Sequence, residues 1–207
     1  MVDMTAPTAH ANRHSTTAAP ATTRIAVIAS SLRDGRMSPT VAEWVVAALQ
    51  QSSGVHVDLI DLAEITLPDD AQLSPGGGPK TEVADRIEAA EAFVFVTPEY
   101  NHSYPASLKR LIDWHYAAWM LKPATVVAYG VQGGYAAIEH LRGVLAELNM
   151  VTTRRCLGLA APWEALDDGN RFSPADGTNK ALSSALAELA WWTAVLTDAR
   201  ANRPFPA

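Results

Sequence analysis

Residues 92–114 read AFVFVTPEYNHSYPASLKRLIDW, and this stretch decides the fold. Its opening run, Phe93-Val94-Phe95-Val96-Thr97, is aromatic and β-branched, too short to span a membrane and right for a buried strand. Pro98 stops the strand, because it lacks the backbone donor that a central strand needs. The polar cluster Glu99-Tyr100-Asn101-His102-Ser103 follows, and Pro105 is placed to open a helix. In that helix Leu108, Leu111, Ile112, His115 and Trp119 fall on one face. A buried strand, a short polar loop and a helix form half of a βαβ unit. In open parallel sheets, ligands bind at such loops, beyond the carboxyl ends of the strands.

The same grammar extends in both directions. Upstream, Ile25-Ala26-Val27-Ile28-Ala29 predicts a first strand. Pro39 marks the start of a helix with Ser38 as its cap and Val41, Val45 and Leu49 as its apolar stripe. After Gly54, residues 55–62 alternate Val55, Val57, Leu59 against His56, Asp58, Ile60, a second and less buried strand. Residues 65–80 contain Pro68, Pro75, Gly76-Gly77-Gly78 and Pro79, which predicts a mobile loop of the lid or interface kind. A helix over about 81–90 leads back to the central strand. Downstream, Lys122-Pro123 breaks the chain before a fourth strand, Ala124 to Tyr129, and a glycine-rich turn, Gly130-Val131-Gln132-Gly133-Gly134-Tyr135. A helix with Ile138, Leu141, Leu145 and Leu148 inward comes next, then a weaker fifth strand within 150–160. After a loop over 167–179, a last helix carries Leu182, Leu186, Leu189, Trp192 and Leu196 on one side. Strand and helix alternate throughout, which predicts a parallel sheet with helices on both faces.

Composition narrows the function classes. The chain has 207 residues, 48% of them hydrophobic and 18% charged, ample for one α/β core. A net charge of -6 argues against a nucleic-acid surface, which needs a basic face. No apolar run approaches the ~20 residues of a transmembrane helix. Cys156 is the single cysteine, so no intrachain disulfide or cysteine cluster for a metal is expected, and a cytoplasmic setting fits. Residues 1–23, rich in Ala and Thr, are expected to be a disordered leader ahead of a single domain over 24–200, with 201–207 as a tail.

Three loops carry residue types suited to chemistry. Ser30-Ser31-Leu32-Arg33-Asp34-Gly35-Arg36-Met37-Ser38 combines hydroxyls, two arginines and a helix start, the components of a phosphate site. It is neither a Walker loop nor a G-x-G-x-x-G fingerprint. By residue type alone, two arginines in a surface turn are more often solvated charges. The second loop, Pro98 to Ser103, offers Tyr100 and Asn101 beside a flat ligand, or simply a turn in which Asn101 stabilises its own backbone. His102 reads as a surface loop histidine. The third, Gly130 to Tyr135, lets backbone approach a planar ligand closely, though a strand-to-helix turn with positive φ alone explains Gly133 or Gly134.

Taken together, Thr97-Pro98-Glu99-Tyr100-Asn101, Leu108-Lys109, Ile112-Asp113-Trp114, Ser31-x-Arg33-x-x-Arg36 and the glycine loop resemble the NADPH-dependent FMN reductases of flavodoxin-like fold. The resemblance spans about Ile25 to Trp163. It implies a three-layer sandwich with a five-stranded parallel sheet of order 2-1-3-4-5. It also tips the first loop towards phosphate binding. By this resemblance the cofactors are FMN and NADPH, with FMN held by Ser31, Arg33, Arg36, Met37 and Ser38, by Pro98, Glu99, Tyr100 and Asn101, and by Gly130, Gln132, Gly133 and Gly134. The implied activity is reduction of FMN by hydride transfer from NADPH, with electrons passing to a small-molecule acceptor and no obligatory catalytic acid or base in the chain. A homodimer or dimer of dimers is implied, packed through the region of Trp114, Tyr116 and Trp119. The alternatives are an FMN-bound reductase of quinones, azo dyes or metal oxyanions, a flavodoxin-like electron carrier, and an idle flavin-binding protein.

Overall fold

The computed structural model describes residues 22–206. The expected leader lies outside the described residues except at its end, where Thr23 already belongs to the first strand. Strands β1 (Thr23–Ala29), β2 (Val55–Asp61), β3 (Ala92–Pro98) and β4 (Pro123–Gly130) alternate with helices α1 (Ser38–Leu49), α2 (Ala84–Ala89), α3 (Ala106–Trp114) and α4 (Tyr116–Trp119). Helix α5 (Tyr135–Glu147), strands β5 (Val151–Thr152) and β6 (Leu157–Ala160), and helix α6 (Asp176–Asn202) complete the order. All pairings are parallel, in the order β2-β1-β3-β4-β5, with β6 also on β4. This is the expected flavodoxin-like order.

Strand β3 shows why its sequence is apolar without alternation. Phe93 and Phe95 face one core with Ile28, Leu108, Leu111, Trp119 and Leu141, whereas Val94 and Val96 face another with Val27, Val41, Val45 and Leu189. Helices α2 to α5 cover the first face, and α1 and α6 the second. A strand buried on both sides has no face left for polar residues.

Five expectations need correction. The single helix expected to carry Leu108 through Trp119 is broken at His115, whose backbone turns to φ -120° and ψ 33° between α3 and α4. The fifth strand is split into β5 and β6, since the backbone N–H groups of Arg154 and Arg155 leave the ladder for the Glu188 carboxylate of α6 at 2.8 and 3.2 Å. Ser38 does not cap α1: Met37 is the cap residue, and the Ser38 hydroxyl turns inward to Tyr129. Residues 65–80 are tethered. Arg110 reaches Asp70 and the Pro68 carbonyl at 2.8 Å each, Ser74 and Gly77 bridge, and the Gly78 N–H donates to the Trp114 carbonyl. Finally, α6 runs to Asn202, into the expected tail. Of the aromatics in the expected interface region, Trp114 and Trp119 are core, and only Tyr116 is exposed.

Candidate active site

The carboxyl ends of β1, β3 and β4 lie side by side, with β1 and β3 adjacent, so the crossovers from β1 to β2 and on to β3 leave a crevice between them. Such a switch point is where open α/β sheets bind ligands. The three loops singled out from sequence all end here.

The first loop leaves β1 at Ser30 and enters α1 at Ser38. Among the described residues, the backbone N–H groups of residues 31–37 find no acceptor in the chain. Leu32 to Gly35 are exposed, and Ser31 and Ser38 lie fully buried beneath them. Beneath the loop the Tyr129 hydroxyl, at the end of β4, stands 2.9 Å from Ser38 Oγ and 3.5 Å from Ser31 Oγ. Burial raises the Tyr129 pKa, so the phenol stays protonated at neutral pH and keeps a proton to donate. Arg36 is braced from the side: one guanidinium nitrogen donates to Asp61 at 2.6 Å and to the Ser31 carbonyl at 3.3 Å. The hydrogen bond that Arg36 donates to Asp61 raises the Arg36 pKa. Arg33 is different, since its guanidinium carbon lies 5.0 Å from the centre of the Tyr100 ring, spanning the first and second loops.

The second loop is a two-residue turn. Tyr100 and Ser103 exchange backbone hydrogen bonds at 2.7 and 3.0 Å, and Asn101 and His102 take φ of 50° and 64°. Positive φ at both central positions is the mirror-image turn that closes hairpins, and Asn enters it readily. Asn101 and His102 stand exposed at its tip. Glu99 turns the other way. Its carboxylate accepts from the Ala136 N–H at 3.0 Å and the Ala137 N–H at 3.5 Å, capping α5. The Glu99 side chain is therefore spent on the helix that follows the third loop.

The third loop needs its glycines. Gly134 sits at φ 76°, and a Cβ there would lie 2.6 Å from the Tyr129 backbone nitrogen. Gly133 also takes positive φ, 94°. Val131 and Gln132 are exposed above them, and Pro98 and Gly130 form the last positions of β3 and β4.

The structure thus gathers all thirteen residues expected at the site into one end of the sheet, and gives several of them inward duties. Ser38, Arg36 and Glu99 brace loops, and Met37 packs on the second core. Sequence reasoning missed Asp61, Tyr129 and Ser107, the last of which donates to the Ser30 carbonyl at 2.6 Å. A tyrosine closing an aliphatic strand was the readable signal, because a buried phenol requires a partner. Asp61 gave none until strand register put it beside Ala29.

The donor set fits FMN. A run of free N–H groups, a helix start and Arg33 suit a phosphate. Three buried hydroxyls lack partners among the described residues; Ser30 Oγ and the Tyr100 hydroxyl lie in the loops of this crevice, and Thr153 Oγ1 lies at the break after β5. No cluster of metal-ligating residues occurs among the described residues.

Comparison with known proteins agrees. The family profile described as NADPH-dependent FMN reductase matches residues 23–164. The chain is 36% identical over 144 residues to the NAD(P)H-dependent FMN reductase LOT6 of Saccharomyces cerevisiae, covering 61% of this chain and 75% of that one. It is 33% identical over 138 residues to a probable NADPH:quinone oxidoreductase of Oryza sativa, covering 62% and 70%. In fold it is similar to the flavoenzyme NAD(P)H:(acceptor) oxidoreductase FerB of Paracoccus denitrificans, with TM-score 0.62 and 23% identity over 82% of this chain and 97% of that one.

Proposed function

Since the chain belongs to the NADPH-dependent FMN reductase family, we propose that the three loops at the carboxyl end of its sheet hold FMN and present it to NAD(P)H. The chain is an NAD(P)H-dependent flavoprotein oxidoreductase. When bound, FMN supplies the redox chemistry, taking two electrons from a nicotinamide and giving them to a second acceptor. The protein supplies position. Free N–H groups of residues 31–37 and the Arg33 guanidinium hold the phosphate, with Arg36 keeping the loop in shape against Asp61. Tyr100, Asn101 and the backbone of Gly130 to Gly134 wall the ring. The N–H groups of Asn101, Val131, Gln132 and Gly134, which find no acceptor among the described residues, favour the negative charge that reduction develops. No side chain is required to move a proton. Glu99 is committed to α5, and His102 stands in solvent at the turn.

The observation that carries this reading is the run of unpartnered backbone donors at the start of α1. It is tested by mixing the purified chain anaerobically with FMN and NADPH and following loss of flavin absorbance. Rapid bleaching is expected. Tight FMN binding without bleaching would instead select a carrier or binding protein, and absence of FMN binding would overturn the assignment of all three loops.

A second acceptor reading has its own support. Leu32, Val131, Tyr135 and Trp163 are 54%, 77%, 62% and 42% exposed on loops or helix starts at this end of the sheet, an apolar rim suited to a flat, weakly polar acceptor such as a quinone. Faster steady-state turnover with a quinone than with free FMN would select it. We also propose a homodimer. Tyr116 with Ile112, Val144 and Leu148 lines an open groove of about 320 Å³ between α3 and α5, and light scattering at micromolar concentration should return twice the chain mass. The catalytic unit is assigned to residues 23–202 in a cytoplasmic setting, consistent with one free cysteine and with no described helix long and apolar enough to cross a membrane.

A further inference from the structure

Tyr129 belongs to β4, yet its hydroxyl ends beneath the loop that follows β1. It is 2% exposed. Its hydroxyl is 2.9 Å from Ser38 Oγ and 3.5 Å from Ser31 Oγ, and both serines are fully buried. Those serines lie at the two ends of the run whose N–H groups are free. We propose that Tyr129 is a positioning residue for the flavin phosphate: its O–H braces Ser38 and Ser31 from below and sets the path of residues 31–37. This rests on the flavin-site reading above.

The argument is one of proton direction. A phosphate dianion only accepts hydrogen bonds, so every loop group facing it must donate. A serine hydroxyl that donates outward still needs a donor for its own lone pair, and a buried one cannot take it from water. The Tyr129 phenol has one proton, so it donates to Ser31 and accepts from Ser38, which leaves the Ser31 proton free to point outward, and burial keeps the phenol protonated. Sequence distance conceals the pairing, because 91 positions separate Ser38 from Tyr129. Gly134 makes the approach possible. A side chain there would strike the Tyr129 backbone and displace the phenol.

The test compares FMN with riboflavin, which lacks the phosphate. Titrations of wild type, Tyr129→Phe, Ser38→Ala and the double variant are followed by quenching of flavin fluorescence. Tyr129→Phe is expected to weaken FMN binding about five- to tenfold while changing riboflavin binding less than about twofold, the size of one buried hydrogen bond. The double variant should bind FMN no more weakly than Tyr129→Phe alone, because both changes break one contact. Equal weakening for FMN and riboflavin would mean a general structural role and overturn the proposal. So would an unchanged preference for FMN in both single variants, or additive losses in the double variant. A wild type without preference for FMN over riboflavin would overturn this proposal and the flavin-site reading together.

Discussion

The two ends of the sheet treat polar groups in opposite ways. At the amino end, around the start of β4, the buried Lys122 and His115 side chains are paired, and only the Thr153 hydroxyl, beside Ala124, lacks a partner among the described residues. Lys122, 9% exposed, donates to the Ile87 and Glu88 carbonyls at 3.2 and 2.8 Å, where α2 ends. His115 is fixed between the Leu111 carbonyl, 2.8 Å from Nδ1, and the Thr81 hydroxyl, 2.6 Å from Nε2. Because a carbonyl only accepts, Nδ1 carries the proton and Nε2 receives one from Thr81. Burial holds the His115 pKa below its ordinary value, which keeps this neutral arrangement. At the carboxyl end, in contrast, a run of N–H groups and two buried hydroxyls have no partner among the described residues. A cavity of about 490 Å³ beside His115 and Lys122 therefore signals less than the unsatisfied crevice opposite. Unspent donors, more than volume, mark where a ligand is expected.

This contrast can be broken or sharpened by changing each end in turn. The largest effect is expected at Gly134. A valine there must accept φ 76° and a Cβ 2.6 Å from the Tyr129 nitrogen, so about 3 kcal/mol of stability and FMN binding should both be lost, as read by urea unfolding and flavin titration. Next comes the double variant Arg33→Ala plus Arg36→Ala, which removes charge-assisted donors and leaves Asp61 with the Ala63 N–H but without its cation. FMN affinity should fall by at least about tenfold, with a smaller loss for riboflavin.

The opposite end should respond in stability alone. A Cβ at Gly78 would run into the Trp114 ring, so Gly78→Ala should cost about 1–3 kcal/mol in urea and leave FMN affinity unchanged. Loss of FMN binding in this variant would show that the two ends are not independent.

The smallest effect is a pH slope. Burial, followed by the Arg200 charge, lowers the Lys122 pKa from 10.5 to about 8. The unfolded chain then binds more protons than the folded one between those values, so the cost of burying the charge is fully felt below pH 8 and is relieved as pH rises towards 10.5. Wild type should gain about 1 kcal/mol relative to Lys122→Met between pH 7 and pH 9 in paired unfolding curves. A flat difference would mean that Lys122 is better solvated than its carbonyl partners imply.

How much of this could be read from sequence depends on distance along the chain. The β3 run, the helix face of α5 and the glycine turn are local patterns that the structure reproduces, whereas the face expected from Leu108 through Trp119 is broken at His115. The resemblance supplied the strand order that periodicity lacks. What stayed hidden was pairing between distant residues. Glu99 caps α5 across 37 positions, Asp61 holds Arg36 across 25, and Glu188 splits the fifth strand from 33 or 34 positions away. The glycine- and proline-rich stretch 65–80 read as mobile for the same reason, since its tether is Arg110, 40 positions from Asp70. Composition shows that a segment forms no long regular element (65–80 holds only the 3-10 turn Asp70–Gln72), but not what holds it down.

The most direct test is amide hydrogen exchange with and without FMN, resolved to short peptides. The account predicts that FMN protects residues 31–37, 98–103 and 130–134, with little change over 74–81 and 115–122. Protection confined to the amino end, or spread evenly over the chain, would contradict it.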